Sequence, residues 1–179
     1  MRFIFFILLI LPIYIFVSCK SQSKKEMNKQ EMTQIMLIRH AEKANESVDS
    51  PLSEDGAKRA LNLISVCENS HINFIYSSQF KRNLDTVKLL SEKINIPIVI
   101  KEVNLDEPKV YAENLTKEIL TNHLGQNILI VSHSNTIPLL VENLLGKKLE
   151  IKKVEYSDFY IVSIRKNGEK SFLKLQYGK

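Results

Sequence analysis

The sequence predicts an α/β domain in which a mostly parallel sheet lies between two layers of helices. Short apolar runs alternate with segments of helical periodicity along most of the chain, which is typical of parallel strands joined by crossover helices. Near the end, Asn167-Gly168 separates two further strand-like runs and marks a tight hairpin turn. The expected architecture is therefore a three-layer α/β/α sandwich with a mostly parallel central sheet and a C-terminal β-hairpin.

The individual elements are predicted from apolar runs, caps and turn residues. Ile35–Ile38 is a continuous apolar run, as expected for a strand buried on both faces. Ser53 is a suitable N-cap for a helix that starts at Glu54, and Gly146 ends the last helix. The predicted elements are strands 35–38, 74–76, 96–100, 128–131, 159–165 and 171–177, and helices 54–68, 81–94, 111–124 and 137–145.

Length and composition fit one globular domain with a short extension. The chain has 179 residues, of which 44% are hydrophobic and 25% are charged, so it can bury a sizeable core. The formal charge is +5, and much of the excess lies near the N-terminus at Arg2, Lys20, Lys24, Lys25 and Lys29. No pattern of interleaved aromatic and basic residues accompanies this charge, so we expect no nucleic-acid partner.

The first residues have the features of a targeting segment. A short basic start is followed by the uncharged, almost wholly apolar run 3–17, which suits the core of a signal peptide. Phe16-Val17-Ser18-Cys19 then resembles a bacterial lipobox, although Phe16 stands where Leu is usual. The resemblance implies cleavage before Cys19 and attachment of lipid to its thiol. A plain signal anchor and an ordinary secretory signal are the alternatives.

These features predict three regions: a lipoprotein signal peptide at 1–18, a polar tether at 19–33, and a globular domain at 34–179. The protein would be lipid-anchored in the bacterial cell envelope and face the periplasm, with the identity of the membrane left open. Acyl chains and the basic tether together would make the anchoring stable. Cys67 would then be the remaining free thiol, buried in a helix, so neither an intramolecular disulfide nor a cysteine metal cluster is expected.

Reactive side chains follow three of the predicted strands. Arg39 and His40 come after the first strand, Arg82 lies in the segment that follows the strand at 74–76, and His133 follows the strand at 128–131. Ligands of such sheets bind beyond the carboxyl ends of the strands. An arginine fork matches phosphate oxygens, and a neutral imidazole is a good nucleophile near pH 7. Phosphoryl transfer depends mainly on positioning and charge stabilisation, so this set of groups needs no metal or other cofactor.

Four segments, in order, resemble motifs of the histidine phosphatase superfamily, in its phosphoglycerate mutase-like branch. They are Arg39-His40-Ala41-Glu42-Lys43, Pro51-Leu52-Ser53-Glu54-Asp55-Gly56 with Arg59-Ala60, Tyr76-Ser77-Ser78 with Arg82 and Thr86, and Val131-Ser132-His133-Ser134-Asn135-Thr136-Ile137-Pro138. The resemblance extends from about residue 35 to residue 178 and implies a phosphoglycerate mutase-like fold. One departure is Ser132, which stands where the family usually has Gly.

The resemblance implies a role for each matching residue. His40 would be the phosphorylated nucleophile, Arg39 and Arg82 would bind the phosphate, and His133 would be the second phosphate-binding histidine. Many family members have a catalytic Glu after the third strand, and here Glu107 is the first candidate for the general acid and Asp106 the second. The Asp106–Pro108 segment also resembles a branch that lacks this acid and favours substrates with good leaving groups.

Three functions are compatible with these residues. The leading hypothesis is a metal-independent phosphatase that hydrolyses small phosphomonoesters through a phosphohistidine. The alternatives are a protein phosphohistidine phosphatase and a catalytically silent phosphate-binding envelope lipoprotein. Arg59 is interpreted as a surface residue of its helix, and the oligomeric state is left open.

Overall fold

The computed structural model describes residues 32–178, which form one six-stranded sheet and four helices. In chain order these elements are β1 (Met32–Arg39), α1 (Glu54–Cys67), β2 (Phe74–Ser77), α2 (Lys81–Ile94), β3 (Ile98–Ile100), α3 (Pro108–Asn122), β4 (Asn127–Ser132), α4 (Ile137–Leu145), β5 (Asp158–Arg165) and β6 (Lys170–Gln176). Two helix caps lie where they were predicted. The Ser53 side chain accepts a hydrogen bond from Gly56 N–H at the start of α1, and Gly146 ends α4 with φ of 68°.

The strand order is β3-β2-β4-β1-β5-β6. The first four of these strands are mutually parallel, and β5 and β6 continue the sheet in antiparallel orientation from β1. This arrangement confirms the predicted α/β fold with its mostly parallel sheet and C-terminal hairpin. It also brings the carboxyl ends of β1, β2 and β4 to one edge of the sheet.

The side chains of β1 alternate between two apolar layers. Ile35 and Leu37 face α3 and α4, whereas Met36 and Ile38 face α1 and α2. All four are nearly or completely inaccessible to solvent because helices cover both faces of the sheet. Cys67 is buried in the α1/α2 layer, as expected, and burial raises the pKa of its thiol.

Most element boundaries differ from the sequence prediction by a few residues, and three of these differences have a clear local reason. β1 begins at Met32, two residues before the expected start of the domain, because Met32 pairs with Arg165 of β5. β3 begins at Ile98 instead of residue 96, since Pro97 has no N–H to donate to the sheet. α3 begins earlier than expected, at Pro108, whose ring suits the first helical position.

The signal peptide, Cys19 and nearly all of the polar tether lie outside the described residues. Within residues 32–178, no helix combines the length and the apolar character that crossing a bilayer requires.

Candidate active site

A cavity of about 510 Å³ opens at the carboxyl ends of β1 and β4. Its deepest side chains are Arg39, His40, Arg82 and His133, each no more than 7% exposed. The structure thus brings together four of the five residues that were assigned to phosphate binding and catalysis. The remaining lining residues are Lys43, Glu46, Ser47, Val48, Leu105, Ser134, Asn135, Lys153 and Tyr156.

The backbone after β1 determines which nitrogen of His40 is available for chemistry. His40 Nδ1 lies 2.8 Å from the carbonyl oxygen of Ala41. A carbonyl oxygen can only accept, so Nδ1 carries the hydrogen and the neutral ring has its lone pair on Nε2. Burial, followed by the positive charges of Arg39 and Arg82, lowers the pKa of His40 to about 3. The imidazole is therefore neutral at physiological pH, with Nε2 free to act as a nucleophile.

His133 lies beside His40, with 5.4 Å between the ring centroids. Its Nε2 is 3.0 Å from Ser78 Oγ, and its Nδ1 is 3.4 Å from Arg82 Nη2. Because a guanidinium can only donate, Nδ1 is the acceptor and Nε2 carries the hydrogen in this arrangement. Burial, and then the neighbouring His40 and Arg82, lower the pKa of His133 to about 3. Both histidines are thus neutral beside two permanent cations.

The two arginines are held by backbone carbonyls and aromatic rings. Arg39 Nη1 donates to the carbonyl oxygen of Lys153 at 2.7 Å, and its guanidinium carbon lies 4.0 Å from the centroid of the Tyr156 ring. Arg82 Nη1 donates to the carbonyl oxygen of Val48 at 2.7 Å. Burial lowers the pKa of both guanidinium groups, but both remain cationic at physiological pH. No carboxylate neutralises either arginine through a salt bridge within residues 32–178, so an anionic ligand would meet both charges.

The loop after His40 is fastened to α2 by Thr86. Thr86 Oγ1 accepts a hydrogen bond from Ala41 N–H at 2.9 Å and donates to the carbonyl oxygen of Arg82 at 2.6 Å. One buried hydroxyl therefore joins the backbone next to the candidate nucleophile to the backbone of a candidate phosphate-binding residue. This contact gives a physical reason for a threonine four residues after Arg82.

The same loop is fastened to α1 by Arg59, which is not the surface residue that the sequence suggested. Arg59 Nε donates to both carboxylate oxygens of Glu42, at 3.1 and 2.9 Å, and Nη2 donates at 2.6 Å. Its Nη1 binds the carbonyl oxygens of Tyr177 and Gly178. Arg59 is half-buried and links the loop after β1 to the last described residues of the chain.

Gly56 makes close approach between α1 and this loop possible. The carbonyl oxygen of Glu42 accepts a hydrogen bond from Ser53 N–H at 2.8 Å, directly before the helix. A Cβ at Gly56 would overlap this same carbonyl oxygen. The position therefore requires a residue without a side chain.

The turn after β4 is stabilised by two hydroxyl groups. Ser132 Oγ and Thr136 Oγ1 are 2.6 Å apart, and Thr136 Oγ1 also accepts from His133 N–H at 2.9 Å. Ser132 is fully buried and is not part of the cavity wall, so the serine in place of the usual glycine supports the turn that presents His133.

Glu107 is not among the residues that line the cavity. It is exposed at the N-cap of α3, where Asn104 Nδ2 lies 3.4 Å from its carboxylate. Asp106 is also exposed and outside the lining, and Leu105 is the residue of this segment that reaches the cavity. The lining carboxylate is Glu46, whose pKa is lowered by its hydrogen bond to Lys43, so it is ionised and not poised to donate a proton.

Sequence reasoning also missed Lys153 and Tyr156, which lie in the connection between α4 and β5. No motif or strand end marks that connection, and only the contact with Arg39 reveals its place beside the cavity. Within residues 32–178, no group of three or more histidine, cysteine or acidic side chains is arranged to bind a metal ion.

The fold and site together define an α/β protein with a cationic, histidine-containing pocket at the carboxyl edge of its sheet. Residues 35–109 match the family model of the histidine phosphatase superfamily (branch 1). This match and the fold confirm the resemblance found in the sequence motifs and support a phosphatase role. No protein with curated functional information matches the chain.

Several solved structures share the fold at low sequence identity. A mycobacterial glucosyl-3-phosphoglycerate phosphatase is similar with a TM-score of 0.65 at 14% identity, covering 82% of this chain and 99% of its own. YhfR of Bacillus stearothermophilus gives a TM-score of 0.62 at 21% identity, covering 78% of this chain and 94% of its own. The protein histidine phosphatase SixA, complexed with tungstate, gives 0.56 at 19% identity, covering 80% and 96%. At these identities the likeness concerns the fold.

Proposed function

We propose that this chain is a metal-independent phosphatase that hydrolyses small phosphomonoesters through a phosphohistidine on His40. The observation that carries the proposal is the hydrogen bond from His40 Nδ1 to the Ala41 carbonyl oxygen, because it leaves a neutral Nε2 lone pair beside two arginines. Such a pairing of a buried nucleophile with uncompensated positive charge suits attack on a dianionic phosphoryl group.

In the proposed reaction, the Nε2 lone pair of His40 forms a bond to phosphorus as the bond from phosphorus to the ester oxygen breaks. The leaving oxygen takes a proton from solvent water. A further water molecule then forms a bond to phosphorus as the P–N bond breaks, which restores neutral His40 and releases inorganic phosphate. Arg39, Arg82 and the Nε2–H of His133 stabilise the charge on the transferring oxygens. For His133 this requires exchange of its hydrogen bond from Ser78 to the phosphate.

A trapping experiment tests this mechanism. Brief incubation with 4-nitrophenyl phosphate and rapid denaturation should give an acid-labile, base-stable phosphate adduct on His40. His40→Ala should abolish adduct and turnover, and the exposed His71 provides a matched control, since His71→Ala should leave both unchanged. His133→Ala and Arg82→Ala should each lower kcat by about 10²–10³-fold, as expected for a lost transition-state donor. Turnover by His40→Ala would refute the covalent mechanism.

A second candidate function is hydrolysis of phosphohistidine on a protein. The observation that favours it is the absence, among the described lining residues, of a carboxyl group that is protonated at neutral pH. A protonated imidazole is already a good leaving group and needs no acid from the enzyme. If kcat/KM for a phosphohistidine peptide exceeds that for an alkyl phosphate by orders of magnitude, this function replaces the first. Comparable values would favour the phosphomonoesterase.

The anchor belongs to the same proposal. Lipid on Cys19 would hold the enzyme in the bacterial cell envelope, facing the periplasm, where small phosphate esters are accessible. The apolar run at 3–17 and the serine before Cys19 support this placement.

A further inference from the structure

The cavity has a buried floor and an exposed mouth. The floor consists of His40, His133, Arg39 and Arg82, which are almost inaccessible to solvent. Lys153, by contrast, is exposed at the lining of the same cavity. If His40 attacks the phosphorus in line, the leaving group points away from His40 and towards this mouth. The mouth residues therefore meet the part of the substrate that leaves.

The cavity lining contains more positive than negative side chains. Arg39 and Arg82 together match a dianionic phosphoryl group, and Lys43 forms a 2.6 Å salt bridge with Glu46. Lys153 forms no salt bridge with any of the residues 32–178. Both histidines are neutral and do not change this balance. The positive charge of Lys153 also helps to lower the pKa of Glu46, but that single carboxylate is already bound by Lys43. One positive charge at the mouth therefore remains in excess after a dianionic phosphate is bound.

The backbone of Lys153 is held in place although its side chain is exposed. Its carbonyl oxygen accepts the 2.7 Å hydrogen bond from Arg39, and the carbonyl oxygens of Lys152 and Glu155 lie 3.3 Å from the same Nη1. The lysine is therefore carried by a loop that a buried guanidinium fixes to the floor of the cavity. These contacts keep the backbone of Lys153 next to Arg39, which is one of the candidate phosphate-binding residues.

We propose that Lys153 forms a second anion subsite at the mouth, and that the preferred substrate carries a further negative charge on its leaving group. This inference rests on the proposed function for the position of the phosphate. A carboxylate or a second phosphate would satisfy the subsite, since a lysine ammonium binds either as a point charge. The substrate class is then a small organic phosphate with at least two anionic groups.

The test compares two stable phosphonates on the full-length protein by calorimetry at pH 8.5. The ligands are 4-carboxybenzylphosphonate and its uncharged analogue 4-carbamoylbenzylphosphonate. Wild-type protein should bind the carboxylate about fivefold more tightly, which is the scale of a solvent-accessible ion pair. Lys153→Met should bring the ratio of dissociation constants to about one, and Lys153→Arg should preserve it, because the charge is retained.

Lys152→Met is the matched control, since Lys152 is the adjacent exposed lysine and does not line the cavity. It should keep the wild-type ratio. A wild-type ratio near one, a ratio unchanged by Lys153→Met, or an equal loss in Lys152→Met would each overturn the subsite. Turnover of 4-nitrophenyl phosphate is measured separately. Its absence would refute the proposed function, while the binding ratios would still decide whether the subsite exists.

Discussion

Gly56→Ala should damage catalysis although Gly56 lies outside the cavity. An added Cβ would overlap the carbonyl oxygen of Glu42 and lie 3.1 Å from its carbonyl carbon and amide nitrogen. That oxygen is already fixed by Ser53 N–H at 2.8 Å, so the loop carrying His40 must move as a unit. Relieving the overlap requires a displacement of about 1 Å, a misplacement that costs about 10²-fold in rate. We therefore expect kcat/KM for 4-nitrophenyl phosphate to fall by about 10²-fold.

Stability alone should not account for this loss. An alanine in a helix is normally about 0.5–1 kcal/mol more favourable than glycine, so any destabilisation by Gly56→Ala reports the overlap itself. Gly146→Ala is the control: φ is 68° at Gly146, so strain of about 1–2 kcal/mol is expected, but no atom lies within 4 Å of the new Cβ. Gly146→Ala should lower Tm, but it should leave kcat/KM nearly unchanged at temperatures below thermal unfolding. A Gly56→Ala rate within twofold of wild type would refute the reasoning.

Five further predictions concern the titration of the two histidines, the pH dependence of stability, the general acid, metal dependence and the lipid anchor. The ring protons of His40 and His133 should keep their NMR chemical shifts between pH 5 and 8, since their pKa values are lowered to about 3, and a midpoint near 6.5 would contradict the burial argument. For the same reason, the free energy of unfolding should decrease as pH falls from 6.5 towards 3, because the unfolded chain binds the protons first. Glu107→Gln should change kcat for alkyl phosphates by less than about twofold, given its exposed position, and a selective loss on alkyl over aryl esters would reinstate it as the acid. Excess chelator should leave turnover unchanged, and loss restored by a divalent ion would contradict the metal-free mechanism. Cys19→Ser should abolish incorporation of labelled fatty acid and detergent partitioning, and labelling that survives would exclude the lipobox.

The fold could be predicted because its elements are marked locally. The buried run at Ile35–Ile38, the Ser53 cap and the Asn167-Gly168 turn each follow from neighbouring residues. The positions of the two histidines could be predicted for the same reason, since both come directly after apolar strands. The ends of the strands were predicted less accurately than their centres. β1, for example, extends beyond its apolar run because it pairs with β5, which is distant in the sequence.

The walls of the site could not be predicted, because they depend on contacts between residues far apart in the chain. Arg59 has the spacing of a solvent-facing helix residue, and only the folded chain brings Glu42 and the Tyr177 carbonyl to it. Lys153 and Tyr156 reach the cavity because a buried arginine binds their loop. The family resemblance suggested Glu107 as the general acid, but α3 begins there and its first turn lies outside the lining.

The direction of β1 determines on which side of the domain the preceding residues enter it. β1 has eight residues, and its two ends, Met32 and Arg39, are about 23 Å apart at about 3.3 Å per residue. The chain therefore enters the domain on the side opposite the cavity. If lipid is attached upstream, as proposed, the tether would join the domain away from the mouth of the cavity, so the anchor itself would not obstruct the entry of a diffusing ester.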